Sequence, residues 1–192
     1  MMISAPDGAA PGQVILLNGV SSSGKSSLAR QLLGDLDRPF FHIGADMIGT
    51  MRSEPQTHLL DQDALQQVLY RTRAGFHRAV AAMALAGNDI VMDHVLSEPW
   101  RLRDCLEVMT GIDVVFVGVH CSRDELVRRE KQRGDRLVGT AIAQLAGTHR
   151  HGVYDCEVDT SSQKLADCSA EIRRCAGARG NPRAFDRLRT AL

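Results

Sequence analysis

The chain is 192 residues long and 44% hydrophobic, which fits one domain with a full core. Its formal net charge is zero and its pI is near 7.0, so no global field draws it to nucleic acid or to an acidic membrane surface. No apolar window reaches the length of a membrane span, and Cys105, Cys121, Cys156, Cys168 and Cys175 are odd in number and lack C-x-x-C spacing, against a disulfide framework or a thiolate metal site. The expectation is a cytoplasmic protein with reduced, mostly buried thiols and with neither nucleic acid nor membrane as a partner.

Residues 1–12 carry no basic stretch and no long apolar run, so no signal or transit peptide is readable there and a flexible lead-in is expected. The run V-I-L-L opens a buried strand over Val14–Asn18, followed at once by G-V-S-S-S-G-K-S at 19–26. The spacing G-x-x-x-x-G-K-[ST] is that of a phosphate-binding loop. Gly19 and Gly24 let the backbone turn tightly so that its N–H groups converge on phosphate oxygens at a helix N-terminus, with Val20, Ser21, Ser22, Ser23 and Ser27 completing the cradle. Lys25 can reach the β- and γ-phosphates of ATP, and the Ser26 hydroxyl is a Mg²⁺ ligand in this arrangement. The plainer alternative is a serine-rich turn ahead of an ordinary helix.

Leu28, Leu32, Leu33 and Leu36 recur at helical spacing over 26–36. F-F-H-I after Pro39 predicts a second strand ending in G-A-D at 44–46, and 47–61 reads as irregular. Apolar recurrence from Ala64 to Met83 predicts one long helix over 61–86, weakened at Gly75 and stopped by Gly87. D-I-V-M-D at 89–93 and D-V-V-F-V-G-V-H at 113–120 are short apolar runs bracketed by turns, as buried parallel strands are, with a helix between them ending at Gly111. Ser122 with Glu125 reads as a capping box for an arginine-rich helix, followed by a helix over 138–146, a strand over 156–160 and a helix over 162–175.

This alternation implies an α/β fold, a parallel sheet of about five strands with helices on both faces and ligands beyond the carboxyl ends of the strands. The domain is placed at 13–176. In the tail, 177–192, Phe185, Leu188 and Leu192 recur at helical spacing, which favours a short docked helix over a polyanion-binding arm.

Polar residues at strand ends are the next candidates. Asp46 follows the second strand and would face the phosphate loop across the crevice, where it could take a proton from an acceptor hydroxyl; the competing reading is a helix N-cap. Asp93 ends the apolar run I-V-M, where a carboxylate can hold Mg²⁺ through water; the competing reading is a turn. His94, with no partner in sight, reads as structural. The segment R-R-E-K-Q-R-G-D-R at 128–136 suits an arginine-bearing lid over transferring phosphate, with Arg133 and Arg136 as the preferred pair, against a solvated helix face with Asp124–Arg128 and Glu130–Arg133 ion pairs. D-T-S-S at 159–162 is either a nucleotide-base contact or a helix cap. Met47, Met51, Leu59, Leu60 and Trp100 are candidates for an apolar acceptor wall, with ordinary core positions favoured.

With G-V-S-S-S-G-K-S-S, G-A-D-M-I, I-V-M-D-H-V, R-G-D-R and V-Y-D-C-E-V-D-T in this order, the chain resembles the chloramphenicol phosphotransferase-like family from about Gln13 to about Ala176. The resemblance implies a P-loop kinase fold, ATP and Mg²⁺ as cofactors, and transfer of the γ-phosphate to a hydroxyl of a small molecule, chloramphenicol in that family. It places the catalytic aspartate on Asp46, the phosphate loop on 19–26 and the arginine lid on 133–136. Two departures stand out: His94 occupies a position where the family tends to have a second acidic residue, and 47–63 has no secure match. The donor half therefore carries over better than the acceptor half. A kinase for another hydroxyl (nucleoside, sugar or other metabolite) and a slow ATP-binding switch remain alternatives, and a homo-oligomer is left open.

Overall fold

The computed structural model describes residues 10–133, 139–178 and 182–191. Val14–Asn18 (β1), Phe40–Gly44 (β2), Asp89–His94 (β3), Val114–His120 (β4) and Cys156–Asp159 (β5) pair in parallel in the order β2-β3-β1-β4-β5. Every residue of β1 is buried, as a strand flanked on both edges and covered on both faces requires. Its register sets Leu17 beside Asp93 and Asn18 beside His94 on one side and Gly118 on the other. The carboxyl ends of β1, β3 and β4 therefore open together.

The helices are Lys25–Asp35 (α1), Ala45–Thr50 (α2), Glu54–His58 (α3), Gln62–Leu85 (α4), Pro99–Val108 (α5), Arg123–Arg133 (α6), Thr140–Thr148 (α7), Leu165–Gly177 (α8) and Ala184–Ala191 (α9). Alternate side chains of each strand separate the core into two layers. Ile15, Leu17, Val91, Val115 and Val117 meet Leu28 and Leu32 of α1 and Cys168 and Ile172 of α8. Val14, Leu16, Ile90, Met92, Val114 and Phe116 meet Phe76 and Val80 of α4, Cys105 and Leu106 of α5, and Phe185 and Leu188 of α9.

The one long helix expected over 61–86 is α4, which runs unbroken for 24 residues through Gly75. Two readings of the sequence need correction. The stretch 47–61 is not irregular: it carries part of α2 and all of α3, short helices with no fully buried residue and hence no apolar stripe to reveal them. The capping box at Ser122 is half formed. The Ser122 Oγ accepts from the Glu125 N–H at 3.4 Å, but the Glu125 carboxylate turns to Arg128 and Arg129, and the Ser122 N–H donates to Ser161 Oγ instead.

The stretch Tyr154 to Thr160, distinctive in sequence, fastens the sheet's β5 edge. Asp155 accepts the Phe116 N–H of β4 through Oδ2 and the Ala184 N–H at the start of α9 through Oδ1, both at 2.8 Å. Tyr154 packs against Phe116 at a ring separation of 4.8 Å, and Phe116 meets Phe185 edge-on at 5.1 Å. Truncating Phe185, fully buried in this layer, leaves a cavity the sheet cannot collapse into. Phe185→Ala is expected to cost about 3–5 kcal/mol of stability in urea unfolding followed by circular dichroism; a loss under about 1 kcal/mol would show that α9 contributes little to the core.

Candidate active site

The phosphate loop begins where β1 ends against β4. A Cβ on Gly19 would lie 2.5 Å from the Val119 carbonyl oxygen and 2.7 Å from Ser23 Oγ, so only glycine fits there. Gly24 is the N-cap of α1 at φ +89°, a left-handed conformation that glycine adopts without strain, and Ser22 has φ +60°. The loop is braced from outside. Thr160 Oγ1 donates to the Ser23 carbonyl at 2.6 Å, and Gln144 Oε1 accepts the Ser21 N–H at 2.8 Å. Arg129 donates to Thr160 Oγ1 at 3.0 Å, to the Thr160 carbonyl at 2.8 Å and to the Ser22 carbonyl at 3.4 Å, and is itself held by Glu125 at 2.7 Å. Thr160, read from sequence as a base contact or a cap, is thus a brace of the loop.

Lys25 Nζ donates to the Val20 carbonyl at 2.8 Å and lies 4.0 Å from Asp93 Oδ1. Ser26 Oγ donates to Asp93 Oδ2 at 2.6 Å, and His42 Nε2 lies 3.7 Å from the same oxygen. Burial alone would raise the Asp93 pKa; His42, the Lys25 charge and the Ser26 hydroxyl overcome it and hold the carboxyl below its ordinary value. A hydroxyl and an ionised carboxylate side by side form a hard-oxygen donor pair of the kind Mg²⁺ takes. The buried hydroxyls of Ser22 and Ser23 have no partner among the described residues, which suits a loop built to close around an anion.

These residues share one cleft of about 1050 Å³ with Asp46, Met47, Arg73, His94, Arg101, Arg129 and Arg133. Asp46 sits in the first turn of α2, whose N-cap is Gly44, so the capping alternative for Asp46 falls away. Arg133 lines the same cleft, whereas Arg136 lies outside the described residues. The predicted ion pairs on α6 are replaced: Arg128 pairs with Glu125 at 2.6 Å, and the buried Glu130 accepts the Gly139 and Ala141 N–H groups at 2.9 and 2.7 Å, capping α7. Of the apolar wall only Met47 reaches the cleft; Met51 and Leu59 are 75% and 83% exposed, so neither the acceptor nor the core reading describes them. Trp100 packs against Tyr70 with ring centroids 4.4 Å apart and planes tilted by 43°.

His94 is not alone. Its Nε2 lies 3.0 Å from His77 Nε2, and His77 Nδ1 lies 2.6 Å from Asp104 Oδ2. The Asp104 carboxylate requires a proton on His77 Nδ1, so neutral His77 presents a lone pair at Nε2 and His94 must donate to it. Burial pushes both imidazoles below their usual value, His94 furthest, keeping them neutral. This chain joins residues on α4, α5 and β3; no sequence spacing signals it. A second buried group lies beyond β4: the Tyr154 hydroxyl accepts from Asn18 Nδ2 at 2.8 Å and meets His149 Nδ1 at 2.6 Å.

Another cleft, about 960 Å³, opens at the opposite ends of the strands, but its Arg38 and Arg183 are paired with Asp89 and Asp113 at 2.8 and 2.9 Å. It brings none of the candidate residues together.

A parallel five-stranded sheet whose first strand feeds a phosphate loop and helix defines a P-loop kinase fold. Residues 12–176 match the chloramphenicol phosphotransferase-like protein family, and the chain belongs to it. Two Mycobacterium tuberculosis proteins, of strains CDC 1551 and H37Rv and each named "Putative O-phosphotransferase", are 31% identical over 207 residues, spanning 97% of this chain and 92% of theirs. Among solved structures, the APS kinase of Mycobacterium tuberculosis in complex with AMPPNP and APS superimposes with a TM-score of 0.68 at 15% identity, over 88% of this chain and 99% of that one. A gluconokinase from Sinorhizobium meliloti 1021 does so with a TM-score of 0.56 at 23% identity, over 95% and 96%. No helix among the described residues is long and apolar enough to cross a membrane.

His77, His149 and His151 all have depressed pKa values, chiefly through burial, with His149 at about 4. Below the ordinary histidine value the unfolded chain binds protons that the folded chain refuses, so this stability is complete above about pH 6.5 and is lost as pH falls toward the folded values. Urea unfolding at pH 7, 6 and 5 should show declining stability, with a shallower decline in His149→Asn; an equal decline in the variant would remove His149 from this account.

Proposed function

We propose that this protein is an ATP-dependent O-phosphotransferase, moving the γ-phosphoryl group of Mg·ATP to a hydroxyl of a small molecule. The observation that carries the reading is the convergence, in one cleft at the carboxyl ends of the strands, of the phosphate loop, Lys25, the Ser26–Asp93 pair and the cleft-lining Asp46. A protein that only binds and slowly hydrolyses nucleotide has no need of Asp46 or of the half of the cleft beyond it.

The loop over 19–27 would hold the phosphates on its N–H groups and on the N-terminus of α1. Lys25 would hold phosphoryl oxygens, drawing its ammonium away from the Val20 carbonyl. Ser26 and Asp93 would hold Mg²⁺, which when bound offsets the charge of the phosphate oxygens. Asp46 would orient the acceptor hydroxyl in line with the phosphorus and take its proton. Arg133, with Arg136 following it in the sequence, would cover the transferring group and exclude water. Phosphoryl transfer passes through a loose transition state, so positioning and charge matter more than the strength of the base, and an aspartate suffices. Chloramphenicol is the first acceptor to test, on the strength of family membership.

The test is ADP release with Mg·ATP, alone and with chloramphenicol and a panel of hydroxyl compounds, with mass spectrometry of the products. Lys25→Ala is expected to lower turnover by about a hundredfold or more. Asp46→Asn should keep its affinity for Mg·ATP and lose transfer; wild-type transfer by Asp46→Asn would overturn its assignment as the base.

A further inference from the structure

The far half of the cleft is cationic and unfinished. Arg73 of α4 lines it, is half-buried, and makes no hydrogen bond or ion pair among the described residues. Arg101 of α5 lines it too and is buried; its guanidinium donates to the Val95 carbonyl at 2.9 Å and pairs with Glu98, but its Nε has no partner. Burial, and next the charge of Arg73, push Arg101 below the usual guanidinium value against the pull of its partner Glu98, so a second cation, Arg73, acts on Arg101 across the cleft wall.

Of the carboxylates nearby, Glu98 is taken by Arg101, and Asp104 by His77 and by Arg78 at 3.1 Å. Asp93 belongs to Ser26 and Lys25. Besides Asp93, Asp46 is the one carboxylate among the described residues that line the cleft.

A third incomplete group lies beside these arginines. With His94 Nε2 donating to His77, its Nδ1 is a bare lone pair, buried and without a partner among the described residues. Buried polar atoms are seldom left so, and Arg101 Nε and His94 Nδ1 are two of them on one wall. Arg73, half-buried beside them, is the cation there that has no carboxylate of its own among the described residues.

We propose that the acceptor is a hydroxylated anion, whose carboxylate, phosphate or sulfate group binds to Arg73 with Arg101 behind it. The phosphates of the donor nucleotide would be met by the loop and by Lys25 at the N-terminus of α1, whereas Arg73 and Arg101 come from α4 and α5 and would be left for the second substrate. A guanidinium fits such oxyanions through paired N–H donors, and a neutral alcohol leaves it uncompensated. The inference rests on the phosphotransferase reading only in calling this ligand the acceptor; the anion site stands on its own geometry.

Two measurements separate the claims. In the first, protein saturated with Mg·AMPPNP, so that the phosphate loop is filled, is titrated calorimetrically with matched pairs: glycerate and glycerol 3-phosphate against glycerol, and gluconate against glucose, with chloramphenicol as a further neutral compound. In the second, ADP release with Mg·ATP is followed for the same compounds. The carboxylate and phosphate arms distinguish the two kinds of anion.

Anionic members should bind at least tenfold more tightly than their neutral partners, and any that are phosphorylated should show the same preference in kcat/KM. Arg73→Gln should weaken the anions at least tenfold, through KM more than kcat, and close the gap within each pair. Arg73→Lys should restore part of it, and the thermal midpoint of each variant reports its folding. Anion binding that depends on Arg73 but is never followed by transfer would uphold the site and count against the kinase reading. Transfer to chloramphenicol or another neutral alcohol with no preference for anions would uphold the kinase and overturn the site. Failure of every anion to bind, or an unchanged preference in Arg73→Gln, overturns it as well.

Discussion

A loop that keeps N–H groups for an anion can satisfy few of them internally, here the Ser23 N–H on the Val20 carbonyl, so it must be held in shape by the structure around it. That constraint organises this protein. The phosphate loop is pressed against β4 at Gly19, tied to the end of β5 through Thr160, tied to α7 through Gln144, and tied to α6 through Arg129. Every element on that side of the sheet therefore has a stake in the loop's geometry. A helix dipole and a few backbone amides become a specific anion site only because four separate segments prevent the loop from relaxing around itself.

The sequence made the scaffold legible and the cross-chain contacts illegible, for physical reasons. Parallel strands buried on both faces are continuous apolar runs, so β1, β3 and β4 announce themselves, and the loop motif is local, with each residue's task set by its neighbours in the chain. The helices α2 and α3 have no fully buried residue and are too short to carry a periodic signature, although Ala45 and Ile48 of α2 pack against the core. The His94–His77–Asp104 chain joins α4, α5 and β3, and each of its residues looks ordinary in its own segment. The run of guanidiniums on α6 was visible, but which of them braces the phosphate loop depends on the rotation of the helix, and Arg129 does so while Arg133 lines the cleft. Asp93 and Ser26 stood out in the sequence because strand and loop registers are both set locally, although their hydrogen bond joins distant segments.

The buried polar groups divide into two kinds. Asn18 is satisfied on every side: it donates to the Thr148 carbonyl and to Tyr154, and accepts the Leu96 N–H at 2.9 Å. Groups of this kind fix one arrangement of the chain and add specificity more than stability. The hydroxyls of Ser22 and Ser23, His42 Nε2, His94 Nδ1, Arg101 Nε and Arg52 Nε are left open among the described residues, and all of these residues but Arg52 lie in or beside the cleft. Incomplete satisfaction concentrated in one place marks where a ligand belongs.

The edge strand β5 has a bearing on how the cleft is controlled. It has four residues, pairs on one side only, and is fastened by Asp155 to β4 and to the start of α9, while Thr160 just beyond it grips the phosphate loop. Edge elements open locally at a lower free energy than the centre of a sheet. The loop's order is therefore borrowed from an edge of the sheet, and anything that clamps the loop closed pulls in the opposite direction along the same bonds. Occupancy of the cleft and integrity of that margin become one equilibrium, so the protein's resistance to proteolysis along β5 and its neighbouring tail rises and falls with its ligands.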